Sequence, residues 1–217
     1  MIKTFKLLLV AYSILLSIQS YSQIKKEIYT NLGASHLAIL SLDPIIQDFM
    51  FPFDYNYAPS LTLGGSLYKP IFNDVFIVKA GLEFNTNAIV IRNKEGSEIE
   101  GFFKKYEGKK VRFYNISIPM QIGYAFEEYL HFNIGLSNNF HLINNNKMTI
   151  EGRSFKTIDK MRLYSLGYIA GFDFTIKEKY SIGFNYQRDI TASVKDPIND
   201  FYHYFDQINL RIGYQFK

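Results

Sequence analysis

The stretch YNISIPMQIGY, residues 114–124, alternates with a period of two. Tyr114, Ile116, Ile118, Met120, Ile122 and Tyr124 fall on one side, and Asn115, Ser117, Pro119, Gln121 and Gly123 on the other. Successive side chains of a β-strand point to opposite faces, so this is a strand with one apolar and one polar face. A tyrosine closes the apolar face at each end.

The same pattern recurs along the chain. Phe76, Val78, Ala80, Leu82 and Phe84 oppose Ile77, Lys79, Gly81, Glu83 and Asn85, and Leu130, Phe132, Ile134 and Leu136 oppose His131, Asn133, Gly135 and Ser137. Further apolar faces are Tyr164 to Phe174, Tyr180 to Tyr186 and Ile208 to Phe216, each counted in steps of two. Two strands are less regular: Ile28 to Leu40, where a slip of phase near His36 predicts a bulge, and Ala58 to Lys69, carrying Leu61, Leu63 and Leu67. Pro119 removes one ladder donor and predicts a bulge or local irregularity in its strand.

These are eight strands, and the segments between them alternate in length. They hold 17 residues at 41–57, 5 at 70–74, 20 at 91–110, 4 at 125–128, 19 at 143–161, 3 at 177–179 and 14 at 190–203. In an up-and-down meander all long connections then share one end and all tight turns the other. Outer-membrane barrels have this asymmetry, with short periplasmic turns and long extracellular loops, and it predicts both mature termini on the periplasmic side.

A soluble lipocalin-like barrel has the same alternation, so the composition of the polar face decides between them. In water that face carries many Lys and Glu. Here it is mostly Gly, Asn, Ser, Gln and Thr, with Lys79, Glu83, Asp173 and Arg211 as its main charges, while residues 91–110 alone hold ten charged side chains. Small polar side chains suit the narrow interior of eight strands, and the 17% aromatic content suits a lipid-facing exterior with interfacial girdles. A mean hydropathy of −0.07 follows from averaging two unlike faces. The fold class is therefore all-β, an eight-stranded antiparallel up-and-down transmembrane barrel.

The chain begins with Lys3 and Lys6, an uncharged stretch from Leu7 to Ser22, and the small-residue pattern Ser20-Tyr21-Ser22. This is the layout of a secretory signal, and it predicts cleavage after Ser22, leaving residues 23–217 as the barrel domain. The strongly apolar part, Phe5 to Ile18, is too short for a spanning helix, which needs roughly 20 residues. Removing Lys3 and Lys6 lowers the formal charge from +4 to +2, so no basic excess argues for a nucleic-acid partner. With no cysteine, disulfides, thiol catalysis, Cys-ligated metals and a lipidated cysteine are all excluded.

The segments YNISIPMQIGYAF, YLHFNIGLSNNF, SLGYIAGFDF and INLRIGYQFK resemble the PorT-like outer-membrane β-barrel proteins of Bacteroidota. The resemblance implies the barrel fold and an outer-membrane location. It carries no catalytic residue. The family's namesake is associated with a secretion apparatus, which implies an accessory role in secretion or envelope assembly as one alternative. The terminal aromatic Phe216, followed by Lys217, implies recognition by the barrel-insertion machinery.

Lys79, Glu83, Asp173 and Arg211 come from three strands with two charges of each sign, which predicts a salt-bridged plug in the barrel core. His36, His141 and His203 fall near the loop end, within range of Ser154, Asp189 or Asp206, the residue types of a lipid A-modifying hydrolase, but without a spacing motif. Asp189, Asp196, Asp200 and Asp206 cluster in the last long connection, in a spacing that fits no calcium loop. The expectation is a non-enzymatic barrel without cofactor, structural or binding through its loops, whose partners are outer-membrane lipid, lipopolysaccharide and an envelope protein.

Overall fold

The structure is a computed structural model and describes residues 24–41, 53–72, 74–93, 108, 110–127, 129–145, 147–150, 153–156, 162–196 and 201–216. The signal segment 1–22 and most of the long connections lie outside these residues.

Eight long strands make the wall: β1 (Lys25–Ser41), β2 (Phe53–Ile71), β3 (Phe76–Asn93), β4 (Lys110–Glu127), β5 (Leu130–Asn145), β8 (Tyr164–Ile176), β9 (Tyr180–Asp189) and β11 (Phe201–Phe216). Each is antiparallel to its neighbours, and β1 pairs with β11 from Lys26↔Phe216 to Ser41↔Phe201, which closes the barrel. Two short strands, β6 (Lys147–Ile150) and β7 (Arg153–Lys156), form a hairpin within the connection placed at 143–161 from sequence, and β10 (Val194–Asp196) pairs with the start of β11. Connections 42–52, 94–109, 146–163 and 190–200 share one end; 72–75, 128–129 and 177–179 share the other, with Lys25 and Phe216. The strands run further into the long connections than sequence placed them, and the alternation survives.

The facing follows the residue alternation. Along β4 burial alternates nearly residue by residue, with Asn115, Ser117 and Gln121 inside and Ile118, Met120, Ile122 and Tyr124 exposed. Leu32, Leu63, Leu82, Ile122, Ile134, Phe184, Leu210 and many others are exposed around the whole wall, an apolar surface far larger than one compatible with water.

Of the two irregularities expected from sequence, the one at His36 is absent and the one at Pro119 is a local break in pairing without a bulge. There is no bulge at His36, because β1 keeps one register with β11 from Lys26 to Ser41. The slip of phase has another cause: Leu37 still points inward, at a level where the interior has turned apolar. The bulge lies in β2, where Ala58, Pro59 and Ser60 face only Asn87 and Ala88 of β3. There Ser35 reaches past β2, donating to the Ala88 carbonyl at 2.6 Å and accepting from the Ala88 N–H at 2.9 Å. Pro119 causes no register shift; the β3–β4 pairing is interrupted opposite Gly81 and Leu82 and resumes in phase.

Two inward glycines make the core possible. A Cβ on Gly183 would stand 2.1 Å from Asp173 Oδ1, and one on Gly213 2.5 Å from Glu27 Oε1, so each carboxylate fills the space of a missing side chain. Gly183→Ala is therefore expected to destabilise the folded barrel by about 1–3 kcal/mol, the usual range for overpacking. Urea unfolding of the refolded protein in lipid measures it, with Gly65→Ala, where a Cβ meets only the Glu27 carbonyl oxygen at 3.5 Å, as the comparison.

Candidate functional site: the barrel interior

Starting at the tight-turn end, the first layer of the interior is ionic. Lys79 and Glu83 project inward from β3, Asp173 from β8 and Arg211 from β11, and all four are buried. Lys79 Nζ stands 3.4 Å from Asp173 Oδ2, and Arg211 Nε 3.9 Å from Asp173 Oδ1. Glu83 makes no ion pair with them among the described residues; it accepts a hydrogen bond of 2.7 Å from the Tyr29 hydroxyl. The Tyr29 ring in turn lies 3.4 Å from the Arg211 guanidinium carbon, a cation–π stack.

The centre of the layer is a residue the sequence reading missed. Glu27 accepts from Arg211 Nη2 at 2.6 Å, Ser66 Oγ at 3.0 Å and Ser181 Oγ at 2.5 Å, and forms an ion pair with Lys79 Nζ at 3.0 Å. A first strand read from Ile28 leaves Glu27 outside the barrel, whereas β1 begins at Lys25. The signal was available, since Glu27 shares its parity with Tyr29 and Asn31, both inward.

Above this layer the filling is uncharged. Thr62 donates to Asn85 Oδ1, Asn85 Nδ2 to Ser117, and Ser117 to Asn139 Oδ1, a chain of hydroxyls and amides crossing four strands. Next come His141, Ser165, Asp189 and Ser193. Ser165 bonds His141 Nε2 at 3.0 Å and donates to Asp189 Oδ1 at 3.2 Å; Ser193 also donates to Asp189. This is not a catalytic triad, because the carboxylate holds the serine rather than the histidine and His141 Nδ1 has no partner. Leu37, Ile89, Phe113 and Phe205 are buried at the long-connection end, with Phe113 and Phe205 edge to face at 5.0 Å.

Asp189 and Asp206, expected in a solvated loop, are instead buried on β9 and β11. Asp200 and the side chains of His203, Ser154 and Asp196 lie outside what the structure describes. Among the described residues no cluster of His, Asp and Glu could hold a metal ion.

The layered plug inside a closed wall with an apolar exterior is the arrangement to set against known proteins. A family described as outer membrane protein beta-barrel domain matches residues 23–194. The chain belongs to that family. This outer membrane protein is also similar in structure to Ail, the attachment invasion locus protein of Yersinia pestis, solved in complex with the heparin analogue sucrose octasulfate. That match has 16% identity and a TM-score of 0.48, covering 89% of this chain and 99% of that one. OprG of Pseudomonas aeruginosa matches with 11% identity and a TM-score of 0.48 over 91% and 98% of the two chains. Neisserial surface protein A matches with 10% identity and a TM-score of 0.46 over 87% and 97%. No curated protein matches the sequence.

Removing one member of a buried ion pair strands the other. Glu27→Ala is expected to cost about 3–5 kcal/mol and Glu83→Ala less, since Glu83 has no cation in direct contact. Equilibrium unfolding in lipid vesicles ranks the two.

Proposed function

We propose that the protein is a non-enzymatic, non-conducting barrel whose interior is a structural plug and whose work is done by the long connections at the cell surface. The observation that carries this is the interior filling. The cavity beside Glu27, Lys79 and Asp173 has a volume of about 10 Å³, room for about one water, and an apolar cluster covers the other end. Lys79, Glu83, Asp173 and Arg211, together with Glu27, are on this reading the fixed core of the wall rather than a path for solutes.

In the proposed orientation the tight turns and both mature termini face the periplasm and the long connections face outward. The asymmetry of the connections supports it. The basic and apolar start of the chain supports cleavage after Ser22, and the strand segments support a PorT-like relationship within the broader family. The exposure of Phe216 at the tight-turn end supports recognition by the insertion machinery.

Two measurements test the proposal. In planar bilayers the purified protein is expected to give no sustained single-channel current; steady unitary currents would overturn the plugged interior. The chain has no cysteine, so Glu100→Cys and Lys177→Cys each introduce a single thiol. On intact cells a membrane-impermeant maleimide is expected to label the first and spare the second, and the reverse labelling would invert the orientation.

A further inference from the structure

The outer wall should be apolar where it meets lipid, and on β11 it is so from Phe216 through Tyr214, Ile212 and Leu210 to Ile208. The next outward position is Asp206. Its register partners are His36 on β1 and Arg188 on β9, and Arg188 pairs in turn with Tyr168 on β8. Four neighbouring strands thus place their polar outward residue in one row.

The height of the row is informative. From Phe216 to Asp206 is ten residues, about 33 Å along the strand at about 3.3 Å each, which a tilt of about 40° reduces to about 25 Å. That is the height of the lipid-facing band of an outer-membrane barrel, so the row lies where the hydrocarbon of the far leaflet gives way to its headgroups.

The row is built rather than incidental. Asp206 is only 6% exposed although it occupies an outward position. Arg188 Nε lies 3.4 Å from Asp206 Oδ1, the Tyr186 hydroxyl donates to the same oxygen at 3.3 Å, and His36 Nδ1 lies 3.7 Å from Oδ2. Tyr57 stacks on His36 with ring centroids 4.8 Å apart and is itself half exposed. The Arg188 side chain keeps 38% of its surface exposed while Asp206 meets it at the inner nitrogen, Nε. The guanidinium also bonds with the Tyr186 hydroxyl, and its exposed part is what a phosphate would reach.

We propose that the outer wall formed by β8, β9, β11, β1 and β2 is a binding site for the phosphorylated sugar headgroup of an outer-leaflet glycolipid. Arg188 is the phosphate ligand, Asp206 the residue that positions it, and His36, Tyr57 and Tyr168 the surface against which the sugar rests. The distribution of cations fits this ligand. Arg112 and Arg162 are exposed at the same end, as is Lys110, whereas the cations exposed at the other end among the described residues, Lys26, Lys177 and Lys179, include no arginine. Arginine, the bidentate phosphate binder, is thus concentrated at the end proposed to face the outer leaflet.

The leaflet rests on the orientation proposed above, and the test is arranged to separate the two. The mature chain is reconstituted in nanodiscs carrying lipid A in both leaflets, so the binding does not depend on which way the protein sits in the cell. Binding is read by native mass spectrometry with bisphosphorylated lipid A, dephosphorylated lipid A, phosphatidylglycerol or inorganic phosphate. The bisphosphorylated form is expected to bind at least about tenfold more tightly than the dephosphorylated one, roughly one charge-assisted contact. That preference is expected to vanish in Arg188→Lys, which keeps the charge and loses the fork, and to persist in Lys26→Gln. The double variant Arg188→Gln/Asp206→Asn leaves no stranded carboxylate, and heat-modifiable migration on a gel verifies that each variant is folded. A preference that survives in Arg188→Lys and in the double variant, or equal binding of phosphatidylglycerol or inorganic phosphate, would overturn the site.

Discussion

A bilayer offers no hydrogen-bonding partner to a backbone N–H or C=O, and the rest of this structure follows from that. A sheet satisfies the constraint only when its edges meet, here β1 against β11 over sixteen register pairs. Closure at eight strands leaves an interior just wide enough for side chains to fill. The wall therefore dictates a filling, and the alternation of strand residues supplies it: each outward Leu, Ile, Phe or Tyr that meets lipid is followed by an inward side chain that must find a partner inside.

How the partners are found differs with height. Near the tight-turn end, carboxylates from β1 and β8 sit where Gly213 and Gly183 lack side chains, and cations from β3 and β11 reach across to them. Charges taken out of water are expensive, and such a network is weak evidence for stability in itself. On the present account its value is in specifying register. A one-residue slip of any of the four strands turns its charge into the lipid. Further up, amides and hydroxyls do the same at lower cost, and an apolar cluster ends the filling.

Much of this was legible in the residues. The period of two gave the strands and their outward faces, and the lengths of the connections gave the meander, because both depend only on local spacing. What was hidden depends on contacts between strands far apart in sequence. Glu27 lay one residue outside the strand as read, and its partners Lys79, Ser181 and Arg211 are 52, 154 and 184 positions away. The bulge at Ala58–Ser60 has no mark in its own strand beyond Pro59; it shows only in the pairing with β3. The apparent slip near His36 was an interior that changes from polar to apolar, which alternation alone cannot tell from a bulge. Asp206 was read as a loop residue because β11 begins at Phe201, earlier than its apolar pattern, and Asp189 because it is the last residue of β9. That displacement concealed the row across the outer wall.

The central claim is that Glu27 and Arg211 act as one unit that locks the terminal strands together inside the barrel. A double-mutant cycle with Glu27→Gln and Arg211→Met, read by reversible unfolding in lipid vesicles, addresses it directly. The account predicts strong coupling, about 2 kcal/mol or more, so that the double variant loses much less stability than the two single losses combined. Losses that add to within about 0.5 kcal/mol would mean that the two side chains do not depend on each other, and would contradict it.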